Sequence, residues 1–193
     1  MSVKRRRVIA ACVGVLIGLG IVGGVLAYTR DDDGVDGTFV LDDPGVYSEP
    51  VTTLDQSGKS LPDVQLKDDA GQPVALRSFA GKPLVINIWY STCAPCAREL
   101  RDFADVSREL GDSVQFVGVD PVDSVDKMRA FADARGVEYP LLMDSDGKLI
   151  TQADVAAFPT TLFVSPEGVI VHQTSAIEAD ELRQAIVKYL GNA

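Results

Sequence analysis

Cys93 and Cys96 bracket Ala94 and Pro95 in the stretch Trp89-Tyr90-Ser91-Thr92-Cys93-Ala94-Pro95-Cys96. Two thiols at this spacing can alternate between dithiol and disulfide, carrying two electrons in thiol–disulfide exchange. The pair follows an apolar run and precedes a helical pattern, which puts Cys93 at a helix start. Free backbone N–H groups point outward there with a partial positive charge behind them. A thiolate on Cys93 is therefore stabilised and ionises below the free-thiol range. Cys96, one turn in, is the more buried resolving partner. Pro95 suits the first turn, where its missing N–H would have been unpaired anyway. Three plainer readings compete. Structural zinc needs about four Cys or His ligands, and the chain adds only Cys12 and a lone His172. A purely structural disulfide across so short a loop restricts the unfolded chain very little. Two inert core thiols, the third reading, would have to fall at this spacing and at a strand-to-helix junction by coincidence.

The elements that must position this pair are readable in outline. Asp63–Leu66 and Val74–Leu76 flank Asp68-Asp69-Ala70-Gly71, a hairpin signal. Pro83–Trp89 is nearly continuous apolar sequence, suited to a strand covered on both faces. Leu100, Phe103, Val106 and Leu110 recur at helical spacing, predicting a helix over 93–110 that Gly111 ends. A second buried strand is expected over 114–119, a helix over 124–135 and an extended piece over 139–143. Strands at 160–164 and 169–173 flank Ser165-Pro166-Glu167-Gly168, and a final amphipathic helix covers 178–190. Strand–helix alternation with antiparallel additions implies a three-layer α/β sandwich.

The stretch Leu84–Leu100 resembles the active-site segment of the thioredoxin superfamily, and more narrowly that of the membrane-anchored TlpA/ResA/CcmG disulfide reductases. The similarity runs over roughly 61–190. An N-terminal β-hairpin and a central strand–helix insertion, 114–136, are features of that branch. Phe158-Pro159-Thr160-Thr161 resembles its second signature, where Pro follows a cis bond opposite the cysteines. The resemblance implies that Pro159 belongs to the catalytic centre and that the backbone of Phe158 pairs with substrate. It places Trp89, Thr92, Ala94, Pro95 and Thr160 around the substrate, with Trp89 read as core or groove wall. Asn87 stands where many thioredoxins carry a buried Asp. Thr92 replaces the bulky residue usual before the first cysteine. Glu99 occupies the place of a carboxylate that handles protons for the resolving cysteine; the alternative for it is a solvated helix charge. His172 is read as facing solvent at a strand end, without a role. No cofactor and no metal are called for.

Charge and hydropathy bound the remaining possibilities. Charged residues are 24% and hydrophobic ones 46%, enough apolar sequence for a packed core. Lys4 and Arg5–Arg7 precede Val8–Tyr28, 21 residues without a charged side chain. That run spans roughly 30 Å as a helix, enough for one transmembrane segment, and the basic start puts the C-terminal body outside. The run exceeds a signal peptide's usual apolar region, although Val25-Leu26-Ala27 would serve as a cleavage site. Cys12 precedes most of the run, unlike a lipoprotein cysteine. The expected organisation is a basic start and anchor (1–29), a flexible acidic linker (30–56) and a thioredoxin-like domain (57–193). From Asp31 onward 13 Lys and Arg face 28 Asp and Glu, a balance that argues against nucleic-acid binding. The expected substrates are thiols and disulfides of exported proteins, apocytochrome c among them, with electrons from a membrane partner. Three rivals stand beside a reductase: a disulfide-forming oxidase, a thiol peroxidase and a non-redox binding module. Tyr90 speaks against the peroxidase, since peroxiredoxins carry Thr at that place.

Overall fold

The computed structural model describes residues 55–191. The anchor expected over 1–29 and nearly all of the linker lie outside the described residues. Among the described residues no helix is long and apolar enough to cross a membrane.

The first hairpin forms as β1 (Gln65–Lys67) and β2 (Pro73–Ala75), closed by an Asp68 carboxylate that accepts the N–H groups of Ala70 and Gln72. A 3₁₀ turn, Leu76–Phe79, leads to β3 (Leu84–Ile88), which is buried at every position. There follow α1 (Ala94–Leu110), β4 (Gln115–Asp120), α2 (Val125–Asp133), β5 (Leu141–Met143), α3 (Lys148–Gln152), β6 (Thr160–Val164), β7 (Ile170–Thr174) and α4 (Ala179–Leu190). One seven-stranded sheet runs β2-β1-β5-β4-β3-β6-β7. Parallel pairing holds between β3 and β4 and between β4 and β5, and the other neighbours are antiparallel. The register of the β6–β7 pair shifts between Phe163 and Val164.

Strand alternation divides the core in two. Val85 and Trp89 point to one face with Phe116, Leu141 and Phe163, and are covered by α1, α2 and α4. Leu84, Ile86 and Ile88 point to the other with Val117, Val119 and Leu162. There the cover is thin: the 3₁₀ turn, α3 and the segments around Leu61, Val64 and Val155. The three layers are thus unequal. The five-residue α3 was not expected from the sequence, because it is too short to show a helical period.

Two side chains are fixed by helix packing, one of them against expectation. His172 is half-buried, stacked on Tyr189 of α4 with ring centroids 3.9 Å apart. Helix α4 closes over that edge of the sheet, so the ring does not face open solvent. Trp89 is fully buried, stacked on Phe131 of α2 at 5.5 Å, and is core rather than groove wall. The α2 helix lies directly against it.

Candidate active site

Parallel strands β3 and β4 end at the same edge of the sheet, where loops of α/β folds gather their chemistry. The β3 register with β4 continues one residue past the strand, Trp89 donating its N–H to the Val119 carbonyl at 3.0 Å. The chain then turns, the Cys93 N–H reaching the Tyr90 carbonyl at 3.2 Å, and α1 begins. Cys93 is the N-cap of α1: its Sγ accepts the Cys96 N–H at 3.3 Å, with Pro95 in the first turn. No acidic side chain occupies that turn. A thiolate on Cys93 is accordingly the anion that the helix start can stabilise. The two cysteines form a disulfide. Cys93 is 5% exposed and Cys96 not at all, the asymmetry needed for attacking and resolving sulfurs.

Behind Cys96, at the next turn of α1, lies Glu99, buried at 4% exposure. Its Oε1 accepts the Asn87 amide at 2.8 Å and its Oε2 accepts the Ile177 N–H at 3.1 Å. Burial pushes its pKa up to about 7, against those two hydrogen bonds and with help from the charge of Asp102. Glu99 is therefore not a solvated helix charge. It can gain or lose a proton near neutral pH, one turn from the sulfur that must do the same. A cleft of about 510 Å³, lined in part by Pro95, Arg98, Glu99, Asp102 and Ile177, gives water a route to that carboxyl. A second cleft of about 450 Å³, between Phe79 and Tyr139, is lined by none of the residues of that cleft, and neither cleft has a cysteine in its lining.

On the outer side, the Phe158–Pro159 bond is cis and Pro159 is buried. Phe158 meets Tyr90 edge-on at 5.2 Å, forming an aromatic rim beside the disulfide. Thr92 and Ala94 are exposed and Pro95 half-exposed, so these three can touch a substrate. Thr160 cannot do so with its side chain, because it is buried and its hydroxyl donates to the Ala157 carbonyl at 2.8 Å. It supports the turn before β6 instead. Trp89, in the core, likewise offers no surface to a ligand. Sequence reasoning missed Ser91 and Asp123, which join the β3–α1 loop to the loop after β4. An acidic pair, Asp120 and Asp123, at the end of a parallel strand was the available signal.

A thioredoxin-like sheet with a helix-capping Cys93, a buried Cys96 and an acid behind them defines a thiol–disulfide oxidoreductase. The AhpC/TSA family profile matches residues 57–173, and the chain belongs to that family. Thioredoxin-like protein YneN of Bacillus subtilis is 31% identical over 118 residues, 60% of this chain and 69% of that protein. Thiol–disulfide oxidoreductase ResA of the same bacterium is 30% identical over 115 residues, 59% of this chain and 64% of ResA. Among solved structures, a secreted Mycobacterium tuberculosis disulfide oxidoreductase homologous to E. coli DsbE superposes with a TM-score of 0.58. It is 25% identical, covering 65% of this chain and 96% of that one. The DsbF structure from MTB gives 0.61 at 27% identity, covering 66% and 95%. The chain is a ResA-like thiol–disulfide oxidoreductase.

Proposed function

We propose that this chain reduces disulfides of exported proteins outside the cytoplasm, held at the membrane by Val8–Tyr28, with apocytochrome c a candidate substrate. The observation that carries the reading is the Cys93–Cys96 pair with Glu99 held near neutrality one turn behind it. In the dithiol form, the Cys93 thiolate attacks one sulfur of the substrate disulfide, and the other substrate sulfur leaves as a thiolate. Cys96 then gives its proton to the Glu99 carboxylate through water and attacks Cys93 Sγ. The second substrate sulfur leaves, and the enzyme ends as the disulfide. Two electrons have passed to the substrate, and a membrane dithiol donor must return them before the next cycle.

The likeness to ResA supports thiol–disulfide exchange, and the likeness to a secreted disulfide oxidoreductase supports the compartment. Tyr90, packed against Phe158 where a peroxidase would carry Thr, weighs against peroxide reduction. Two measurements test the proposal. The reduction potential of the pair should lie near −250 mV or lower; a value near −120 mV would make the protein an oxidant instead. Cys96→Ser should trap exported cysteine proteins on Cys93 in intact cells, and an absence of mixed disulfides would overturn the assignment.

A further inference from the structure

The loop after β4 holds a buried polar cluster that the exchange steps do not use. Asp123 is 8% exposed. Its Oδ2 accepts the Ser91 N–H at 2.6 Å, while its Oδ1 accepts the Ser91 hydroxyl at 3.0 Å and Lys127 Nζ at 2.6 Å. Asp120, fully buried at the end of β4, shapes the turn that presents Asp123. Its Oδ1 accepts the N–H groups of Val122 at 2.8 Å and of Asp123 at 2.9 Å. Burial works against ionisation of Asp123, but Lys127, both Ser91 donors and the Asp120 side chain prevail and hold its pKa low. Asp120 moves the other way, raised by burial and by the Asp123 charge. The outcome is a carboxylate kept charged inside the protein, with both oxygens committed.

What it grips is the chain leading to the nucleophile. The sheet's hold ends at Trp89, and Ser91 lies at the middle of the turn between there and Cys93. Tyr90 and Thr92, on either side of Ser91, belong to the rim a substrate must meet. Val122, beside Asp123, is 61% exposed on the adjoining loop. Disulfide exchange needs three sulfurs nearly in line, so a displacement of about 1 Å in this turn can cost as much as 100-fold in rate. A small alkylating agent needs no such docking and reports only the thiolate.

We propose that Asp123 is a positioning residue for disulfide exchange: by holding Ser91 at both its N–H and its hydroxyl, it fixes the turn that delivers Cys93 to a substrate disulfide. The proposal rests on Cys93 as the attacking sulfur and is independent of the direction of electron flow.

The test compares two rate constants of the reduced protein at one pH: exchange with a disulfide-bridged peptide and alkylation by iodoacetamide. Asp123→Ala should slow exchange about 10-fold or more, a fraction of the loss that misplacement can cause, and leave alkylation within about twofold. Ser91→Ala removes only the hydroxyl contact and should slow exchange about threefold. The double variant should be no slower than Asp123→Ala, since both act through one contact. Asp123→Asn keeps an oxygen for the Ser91 N–H and should recover part of the rate. Should Asp123→Ala fail to fold, Asp123→Asn and Ser91→Ala carry the same comparison. Exchange and alkylation falling together, or a lowered urea midpoint with exchange unchanged, would overturn the proposal. Wild-type protein that cannot exchange with the peptide at all would instead sink the assignment of Cys93.

Discussion

Replacing Glu99 by Gln removes a buried ionisable group while keeping its shape. In the folded protein burial holds this carboxyl's pKa at about 7, against an ordinary value of 4.5. At 1.36 kcal/mol per pH unit, that difference withholds ionisation by roughly 3 kcal/mol. The sign follows from proton counting. Between pH 4.5 and 7 the unfolded chain has released the Glu99 proton and the folded protein still holds it, so rising pH favours unfolding. The stabilisation is complete below about pH 4.5 and is lost as pH climbs through the folded value. The amide that replaces the carboxyl in Glu99→Gln does not titrate. The variant therefore gains on the wild type by about 3 kcal/mol between pH 4.5 and pH 8, whatever its constant offset. The offset itself should be small, because Asn87 Oδ1 is buried without a partner and can accept from the new amide if Asn87 turns over. Urea unfolding of the oxidised protein measures this, with disulfide-bonded cysteines contributing no titration. Trp89, the single tryptophan and fully buried, supplies the fluorescence signal. With a slope of about 2 kcal/mol per molar, the midpoints should shift relative to each other by roughly 1.5 M over that range. A stability difference between the two proteins that stays flat from pH 4.5 to 8 would refute the raised pKa and, with it, the proton-handling role.

Two more outcomes come from packing. Gly118→Ala sets a Cβ 2.6 Å from Leu141 Cδ2 and 2.9 Å from Trp89 Nε1, both inside the core. It should cost about 1–3 kcal/mol, visible as a drop in the melting temperature, and a wild-type melting curve would contradict the tight fit. His172 is held below the usual histidine pKa, first by burial and then by the Lys188 charge, with Asp55 opposing. Its ring protons in an NMR titration should show a midpoint below 6.5, and one at or above 6.5 would place the ring outside the Tyr189 stack.

The parts of the molecule that were readable in the sequence are those in which a local pattern decides the structure. The apolar run 84–88 became a strand buried on both faces, and the Leu100–Phe103–Val106 spacing became α1 with Cys93 at its cap. Glu99 was ambiguous because a charge three residues beyond Cys96 looks the same on a solvated face as on a buried one. What distinguishes the cases is Asn87 from β3 and the Ile177 N–H, which is 78 residues away. The same holds for Asp123, whose partner is 32 residues back on another loop. His172 was misplaced, and Trp89 was left open between core and groove wall, for a related reason: Tyr189 and Phe131, which cover them, arrive from helices whose packing no local spacing reveals. Helix α3 was missed because five residues carry too little pattern.

Everything catalytic here depends on α1 making the Cys93 sulfur an available anion. Alkylation of the reduced protein by iodoacetamide across roughly pH 4–10, with each cysteine followed by mass spectrometry, tests that directly. Cys93 should react with a midpoint clearly below the free-thiol value of about 8.5, while buried Cys96 is spared. Equal, sluggish labelling of both thiols with midpoints at or above that value would contradict the account.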